Sequence, residues 1–576
     1  MLRSRSRLLL ILLIITLLGL ALAGSWGAIS RTLASWTGEE DAGEQLKGLG
    51  ALILLRLTRG APQTAPDVPI AHAGVNPFGV NTFLEQEVEP TKVERSLDMI
   101  AEAGFHWIRQ EFPWEDIEIS AKGDFYDHKW NKDAWAKYDF LVDAAKQRGL
   151  EIIARLDNPP AWAYKTIPAT GKGGPPDHLE DYGDFVYQVV KRYRGRIRYY
   201  QIWNEPNIYP EWGERPVNAA EYVELLRVAY VRAKAADPDC VILSAGLAQT
   251  TEKGPRDLDD LLYLQQMYDA GARGYFDILG VMAYGLWTGP TDRRVSAERT
   301  NFSRPQLIRE IMVRNGDGGK AVWVTEVGWN ALPSDFPGAP MFGRVSLEQQ
   351  ARYAVQAYQR AQAEWPWMGV LNYWFFKRAG DSETGQAFFY FRMVEPDFTP
   401  LPVYRVLREY AALPPVMHAG HHQESHWALQ YSGEWQEITD RRATLGAYRL
   451  SQQPGARLAL QFRGVGIELA TVESQTAGRV RVTVDGQAPR LIDLPAPTSP
   501  RGTRPSLSPP LADGLHTIEI EVEQGTVAID GLIVRRHTAN VWLWLLLPVS
   551  VVLLALALAW ARRRRLSALG KSAPHD

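Results

Sequence analysis

Two glutamates stand where chemistry is easiest to build. Glu205 follows the apolar run Tyr199-Tyr200-Gln201-Ile202-Trp203-Asn204, and Glu326 follows Val322-Trp323-Val324-Thr325. A carboxyl group beside a buried strand end, among aromatic neighbours, is costly to ionise, and that setting raises a pKa for acid catalysis. Two carboxyls facing across a cleft meet the needs of glycosidic bond cleavage. One protonates the departing oxygen, while the other attacks the anomeric carbon or activates water. A lone strand-end glutamate reads more readily as a surface or salt-bridged residue; two in matched contexts point to a site.

Other chemistries find less support. The 576 residues hold 63 Lys and Arg against 66 Asp and Glu, a net of -3, which excludes bulk charge attraction to nucleic acid as the main theme. A single cysteine, Cys240, excludes a disulfide scaffold and a multi-cysteine metal cluster. His421, His422 and His426 lie close together without a nearby carboxylate pattern and are not read as a metal site. Gly171 to Gly174, near Lys172, lack the length and following helix of a phosphate loop, and no cofactor is expected. Asn301-Phe302-Ser303 is a glycosylation sequon that matters only in a host with that machinery.

The two glutamates need a scaffold that brings distant segments together. Short apolar runs alternate with amphipathic stretches, and eight such pairs precede residue 415. The runs sit near Phe78 to Asn81, Trp107 to Arg109, Glu151 to Leu156, Tyr199 to Trp203, Val241 to Ala245, Ile278 to Ala283, Val322 to Thr325 and Val370 to Trp374. Between them, Val93, Leu97 and Ile100 share one helical face before Gly104, as do Val186, Val189, Val190 and Tyr193 before Gly195. The alternation predicts a parallel sheet closed into a (β/α)8 TIM barrel over residues 75–415. An open doubly wound sheet would usually carry a Gly-rich turn after its first strand, and Gly79-Val80-Asn81-Thr82 offers none. Glu205 then ends the fourth strand and Glu326 the seventh, on opposed parts of the ring, at the end where barrel enzymes place their reacting groups.

Trp203-Asn204-Glu205-Pro206-Asn207 and Trp323-Val324-Thr325-Glu326-Val327-Gly328-Trp329 resemble the signature segments of the large retaining glycoside hydrolase clan built on the (β/α)8 barrel, with its cellulase-like, mannanase-like and β-xylosidase-like families. The resemblance covers roughly residues 75–415. It implies that Glu205 is the acid/base and Glu326 the nucleophile of a double displacement on a β-linked sugar. It also implies that Asn204 bonds the sugar 2-hydroxyl and that Arg109 keeps Glu326 ionised. By the same resemblance Tyr284 donates to the nucleophile and Trp374 forms the platform under the reacting sugar. Asn158, in Leu156-Asp157-Asn158-Pro159-Pro160, is expected to make a polar sugar contact. Trp162, Trp212, Trp287 and Trp329 lie in post-strand loops and are read as packing residues.

Beyond the barrel the period changes to two. Leu458, Leu460 and Phe462, then Val480, Val482 and Val484, then Ile518, Ile520 and Val522 alternate with polar neighbours. The pattern predicts a small antiparallel β-sandwich over residues 427–537, with Pro495 to Pro510 as a surface loop. Residues 31–74 read as a stalk with a short helix near Leu49 to Leu57. Arg3, Arg5 and Arg7 precede an uncharged stretch to Ser30, so residues 1–30 are expected to be a signal peptide or an N-terminal anchor. Val541 to Ala561 has no charge and is followed by Arg562 to Arg565, which predicts a transmembrane helix and a basic cytoplasmic tail over residues 562–576. The expected location is the cell membrane, with the catalytic domain outside the cytoplasm and an oligosaccharide, polysaccharide or glycoside as substrate. Two rivals stay open: a non-catalytic sugar-binding receptor on a barrel scaffold, and a transglycosidase using the same two glutamates.

Overall fold

Eight parallel strands carry the site. They are β1 (Phe78–Thr82), β2 (Trp107–Pro113), β3 (Glu151–Asp157), β4 (Tyr199–Ile202), β5 (Val241–Leu243), β6 (Leu279–Met282), β7 (Val322–Val327) and β8 (Met368–Tyr373). Their order is β5-β4-β3-β2-β1-β8-β7-β6, and parallel bridges Leu243–Ile278 and Leu247–Val281 join the two ends of that path. The computed structural model describes residues 26–165, 174–472, 477–494 and 504–537 of the chain. The strands read as near-continuous buried runs, as expected of a parallel sheet covered on both faces.

Helices follow the strands around the ring: α3 (Pro90–Glu102), α4 (Ala136–Gln147), α5 (Leu179–Tyr193), α6 (Ala219–Ala236), α7 (Asp260–Asp269), α8 (Pro305–Arg314), α9 (Leu347–Glu364) and α10 (Pro402–Ala411). Each turns its apolar stripe inward; α3 buries Val93, Leu97 and Ile100, and α5 buries Val186, Val189, Val190 and Tyr193. Gly104 ends α3 at φ +78°, where a Cβ would sit 2.9 Å from that of Ala411. Ser346 and Gln349 form a capping box at the start of α9. At the N-terminal end of the barrel Trp107, Tyr199 and Trp323 pack with ring centroids 5.0 Å apart and close the interior.

Residues 31–74 differ from the expected stalk. A helix over 26–37 (α1) and a second, α2 (Ala42–Thr58), lie against the barrel wall. Gly289 N donates to Gly38 O at 2.8 Å, and the Arg294 guanidinium bonds Thr37 O at 2.9 Å and pairs with Glu39 at 2.6 Å. Arg59 and Gln63 then reach Glu310 on α8. The docking was hard to read because α2 inverts the usual pattern. It buries Gln45 and Gly48 and exposes Leu46, Ile53, Leu54 and Leu57.

Downstream of α10 the chain forms two sheets. The larger includes the strands Arg457–Gly464, Ala477–Val484 and the long Gly514–Ile529; the smaller holds Gly420–Gln423, Gly466–Ala470 and Gly531–Arg535. Leu458, Phe462, Val480, Val482, Ile520 and Val522 fill the core between them. The pairing is antiparallel except where Val416–Met417 runs parallel to Arg457–Gly464. Asp485 and Gly486, at φ 50° and 65°, make the tight turn after Val484. His422 and His426 are buried near the barrel with His418 half-buried beside them, and there Trp427 N donates to Gly74 O at 2.8 Å. Asn301 of the sequon is fully buried and donates to Asp292 at 2.9 Å.

Among the described residues no helix is long and apolar enough to cross a membrane. The expected anchor at Val541 to Ala561, most of residues 1–30, the tail 562–576 and most of the loop Pro495 to Pro510 lie outside the described residues.

Candidate active site

The site is assembled at the C-terminal strand ends around one guanidinium. Arg109 in β2 is 2% exposed, and its three nitrogens meet four acceptors. Nε donates to Gln201 Oε1 at 2.7 Å, Nη1 to Asn81 Oδ1 at 2.6 Å and to Glu326 Oε1 at 2.9 Å, and Nη2 to Asn204 Oδ1 at 2.8 Å. Asn81 and Arg109 are registered neighbours on β1 and β2, so the sheet itself sets that contact. Asn81 also donates to Thr325 O at 2.9 Å, tying β1 to the residue before Glu326.

Glu326 is 4% exposed and held at both oxygens. Opposite the Arg109 contact, the Tyr284 hydroxyl donates to Oε2 at 2.5 Å. Burial, with the neighbouring Glu326 charge next in weight, pushes the Tyr284 phenol well above its ordinary pKa and keeps it a donor. Burial also lowers the Arg109 pKa, with the Glu326 charge working in the opposite direction. Both carboxylate oxygens of Glu326 thus accept from a fixed donor, one charged and one neutral.

Glu205 is presented by a turn that side chains seldom adopt. Trp203 and Glu205 have φ of 70° and 44°, left-handed values that cost of order 1–3 kcal/mol each in a non-glycine residue. Three bonds hold this turn: Trp203 N to Leu156 O at 3.0 Å, Gln201 Nε2 to Trp203 O at 2.8 Å, and Glu205 N to Gly246 O at 3.1 Å. Gly246 is packed so closely on Thr325 that a Cβ would fall 2.1 Å from its hydroxyl oxygen. Only glycine lets the backbone that receives Glu205 N approach β7 this far.

The remaining predicted residues fall on the rim. Trp374 is half-buried, meets Phe83 edge to face at 5.5 Å and lines a cavity with Asn81, Arg109, Glu111 and Arg155. Asn158 stands at the end of β3 but bonds Glu111 rather than the Arg109 cluster. Of the loop tryptophans, Trp212 and Trp329 are fully buried, Trp162 is half-buried and Trp287 is exposed.

Sequence reasoning missed Asn81 and Gln201, which hold Arg109, and a charged group beside it. Arg155 pairs with Glu111 and, at 2.9 Å, with Asp157. Burial pushes Asp157 above the usual carboxylate range, and burial together with the Glu111 charge does the same to Glu85. The available signal was position: Asn81, Glu111 and Asp157 all lie at or near strand C-terminal ends.

Residues 68–331 match the cellulase model, glycosyl hydrolase family 5. Solved structures similar to the chain include a family 39 glycoside hydrolase from Bacteroides cellulosilyticus WH2, with 19% identity over 79% of this chain and 83% of that one, TM-score 0.45. A family 39 β-xylosidase from Caulobacter crescentus aligns with 15% identity over 80% of this chain and 99% of that one, TM-score 0.41. An exo-β-1,4-mannosidase from Opitutaceae bacterium strain TAV5 aligns with 17% identity over 62% and 64% of the two chains, TM-score 0.42. No curated protein matches the sequence. The family match takes in most of the barrel and both glutamate motifs, so this part of the chain is similar to glycosyl hydrolase family 5, and the activity that the match supports is that of a glycosidase.

Proposed function

We propose that the protein is a retaining β-glycosidase in which Glu326 is the nucleophile and Glu205 the acid/base. The observation that carries this reading is the clamp on Glu326, one oxygen on Arg109 and the other on Tyr284. Such a carboxylate is held in one orientation before substrate arrives, as suits a nucleophile. Its oxygen attacks the anomeric carbon, the bond to the leaving oxygen breaks, and that oxygen takes the proton of Glu205. Water then gives a proton to Glu205 and attacks the same carbon, and the ester to Glu326 is released as carboxylate. Asn204 bonds the 2-hydroxyl with its amide NH2, since its Oδ1 is occupied by Arg109. Trp374 stacks under the reacting sugar, and the exposed Trp287 offers a second face at the rim.

Hydrolysis of a panel of aryl β-glycosides, comparing wild type with Glu326→Ala in the presence and absence of azide, tests the assignment. Wild-type turnover should fall by at least about 10³-fold in the variant and return in part with azide, giving a glycosyl azide of inverted configuration. Turnover unaffected by the substitution contradicts it. Analysis of products with sugar acceptors present separates water from sugar as the acceptor, and so hydrolysis from transglycosylation.

The same reading places the enzyme on a membrane with its barrel outside the cytoplasm. Support comes from the uncharged sequences Leu8 to Ser30 and Val541 to Ala561 and from the arginines at Arg3, Arg5, Arg7 and Arg562 to Arg565. The full chain should then sediment with membranes and be released by detergent; full-length protein in the soluble fraction contradicts anchoring.

A further inference from the structure

Gln201 is fully buried on β4, and no role in the proposed reaction has been given to it. Its side chain spans the two halves of the site. Oε1 accepts from Arg109 Nε at 2.7 Å, and Nε2 donates to the carbonyl of Trp203 at 2.8 Å. On one side Arg109 carries the contact onward to Glu326 Oε1 at 2.9 Å. On the other, Trp203 begins the left-handed turn that presents Glu205, and its indole is fastened to Glu211 O at 3.1 Å. A continuous hydrogen-bonded path therefore runs from the peptide of the Glu205 turn through one amide and one guanidinium to the Glu326 carboxylate.

We infer that Gln201 is a positioning residue that couples the two glutamates, fixing the rotation of Arg109 against Glu326 while pinning the turn that sets Glu205. The inference rests on the roles proposed above for those glutamates. The residue type follows from the two contacts: a neutral amide accepts from the guanidinium and donates to the carbonyl at the same time. A carboxylate at this position accepts from Arg109 but has no proton for Trp203 O. It also competes with Glu326 for the same guanidinium. An apolar side chain of similar length leaves Arg109 Nε and Trp203 O buried with a partner removed.

Gln201→Glu and Gln201→Met test this against wild type on the best aryl β-glycoside, once circular dichroism and thermal unfolding show that the variants are folded. Gln201→Met is expected to lower kcat about 10²–10³-fold while KM stays within about threefold, since the change acts on geometry realised in the transition state. Gln201→Glu, which accepts from Arg109 but cannot donate to Trp203 O, is expected to lower kcat at least about 10-fold with KM again within about threefold. A crystal structure of Gln201→Met should show Arg109 rotated away from Glu326 or Trp203 outside the left-handed region. If Gln201→Met does not fold, Gln201→Asn, an amide shorter by one methylene, takes its place in every comparison. Folded variants with kcat within threefold of wild type and with Arg109 and Trp203 in place would overturn the coupling. A wild type that hydrolyses no glycoside removes the glutamate roles instead, and the crystallographic comparison still decides whether Gln201 holds Arg109 and the turn.

Discussion

At the scale of residues, the proposed chemistry rests on two donors that hold both oxygens of Glu326 in a buried place. Arg109 supplies the cation and Tyr284 the second donor, so each should be costly to remove in a different way. Tyr284→Phe deletes one hydrogen bond to a charged group, about 1.5–3 kcal/mol, and kcat is expected to fall about 10- to 150-fold. Loss of less than twofold in purified, folded enzyme would contradict the clamp. Most of this cluster is legible in the sequence, because Asn204, Glu205 and Glu326 lie in motifs and Arg109 and Tyr284 end recognisable strands. Asn81 and Gln201 are not, since an amide inside a strand announces nothing until the ring closes and brings Arg109 between them. Asn158 was legible by position only; its side chain is drawn to Glu111, a partner that depends on how β2 and β3 meet.

At the scale of elements, strands and helices follow from periodicity, and their ends follow from capping. Ser346 accepts from Gln349 N at 3.1 Å at the start of α9, and Ser346→Ala should lower stability by about 0.5–2 kcal/mol in chemical denaturation without changing KM. The histidines near the junction give a pH prediction. Burial, with Arg463 adding to it, pulls His418 down to about 4, and burial pulls His422 down to about 4 despite its bond to His418 O. Their pKa in the unfolded chain is about 6.5. Between these values the unfolded chain binds protons that the folded one refuses, so stability is full above about pH 6.5 and is lost as pH falls toward 4. The unfolding temperature should therefore drop between pH 7 and pH 5, and less steeply in His422→Gln; identical pH slopes contradict this. His422 was visible in the sequence beside His421 and His426, whereas His418 was not singled out; burial is what gives both a consequence, and the two-residue period reveals only the strands on either side.

At the scale of the whole molecule, the N-terminal segment is part of the barrel's stability rather than a spacer. Arg294 is buried between Asp292 and Glu39, bonding them at 2.7 and 2.6 Å. Removing one member of a buried ion group costs about 3–5 kcal/mol, because the others are left without a counter-charge. Arg294→Met should lower the free energy of unfolding by that amount while a folded sample keeps its KM, and a loss below about 1 kcal/mol would contradict the docking. The sequence concealed this arrangement because α2 turns Gln45 and Gly48 inward and its leucines outward, so hydrophobic periodicity pointed away from the contact. It revealed the barrel because eight alternating units admit few closed arrangements, and strand number alone sets Glu205 and Glu326 on opposed sides.

In the proposed reaction Glu326 becomes covalently bonded to the sugar, and that bond can be trapped. A 2-deoxy-2-fluoro glycoside with a good leaving group should inactivate the enzyme, and peptide mass mapping should find one glycosyl group on Glu326. A label on another residue, or turnover of the parent glycoside with inverted anomeric configuration and no label, would contradict the account.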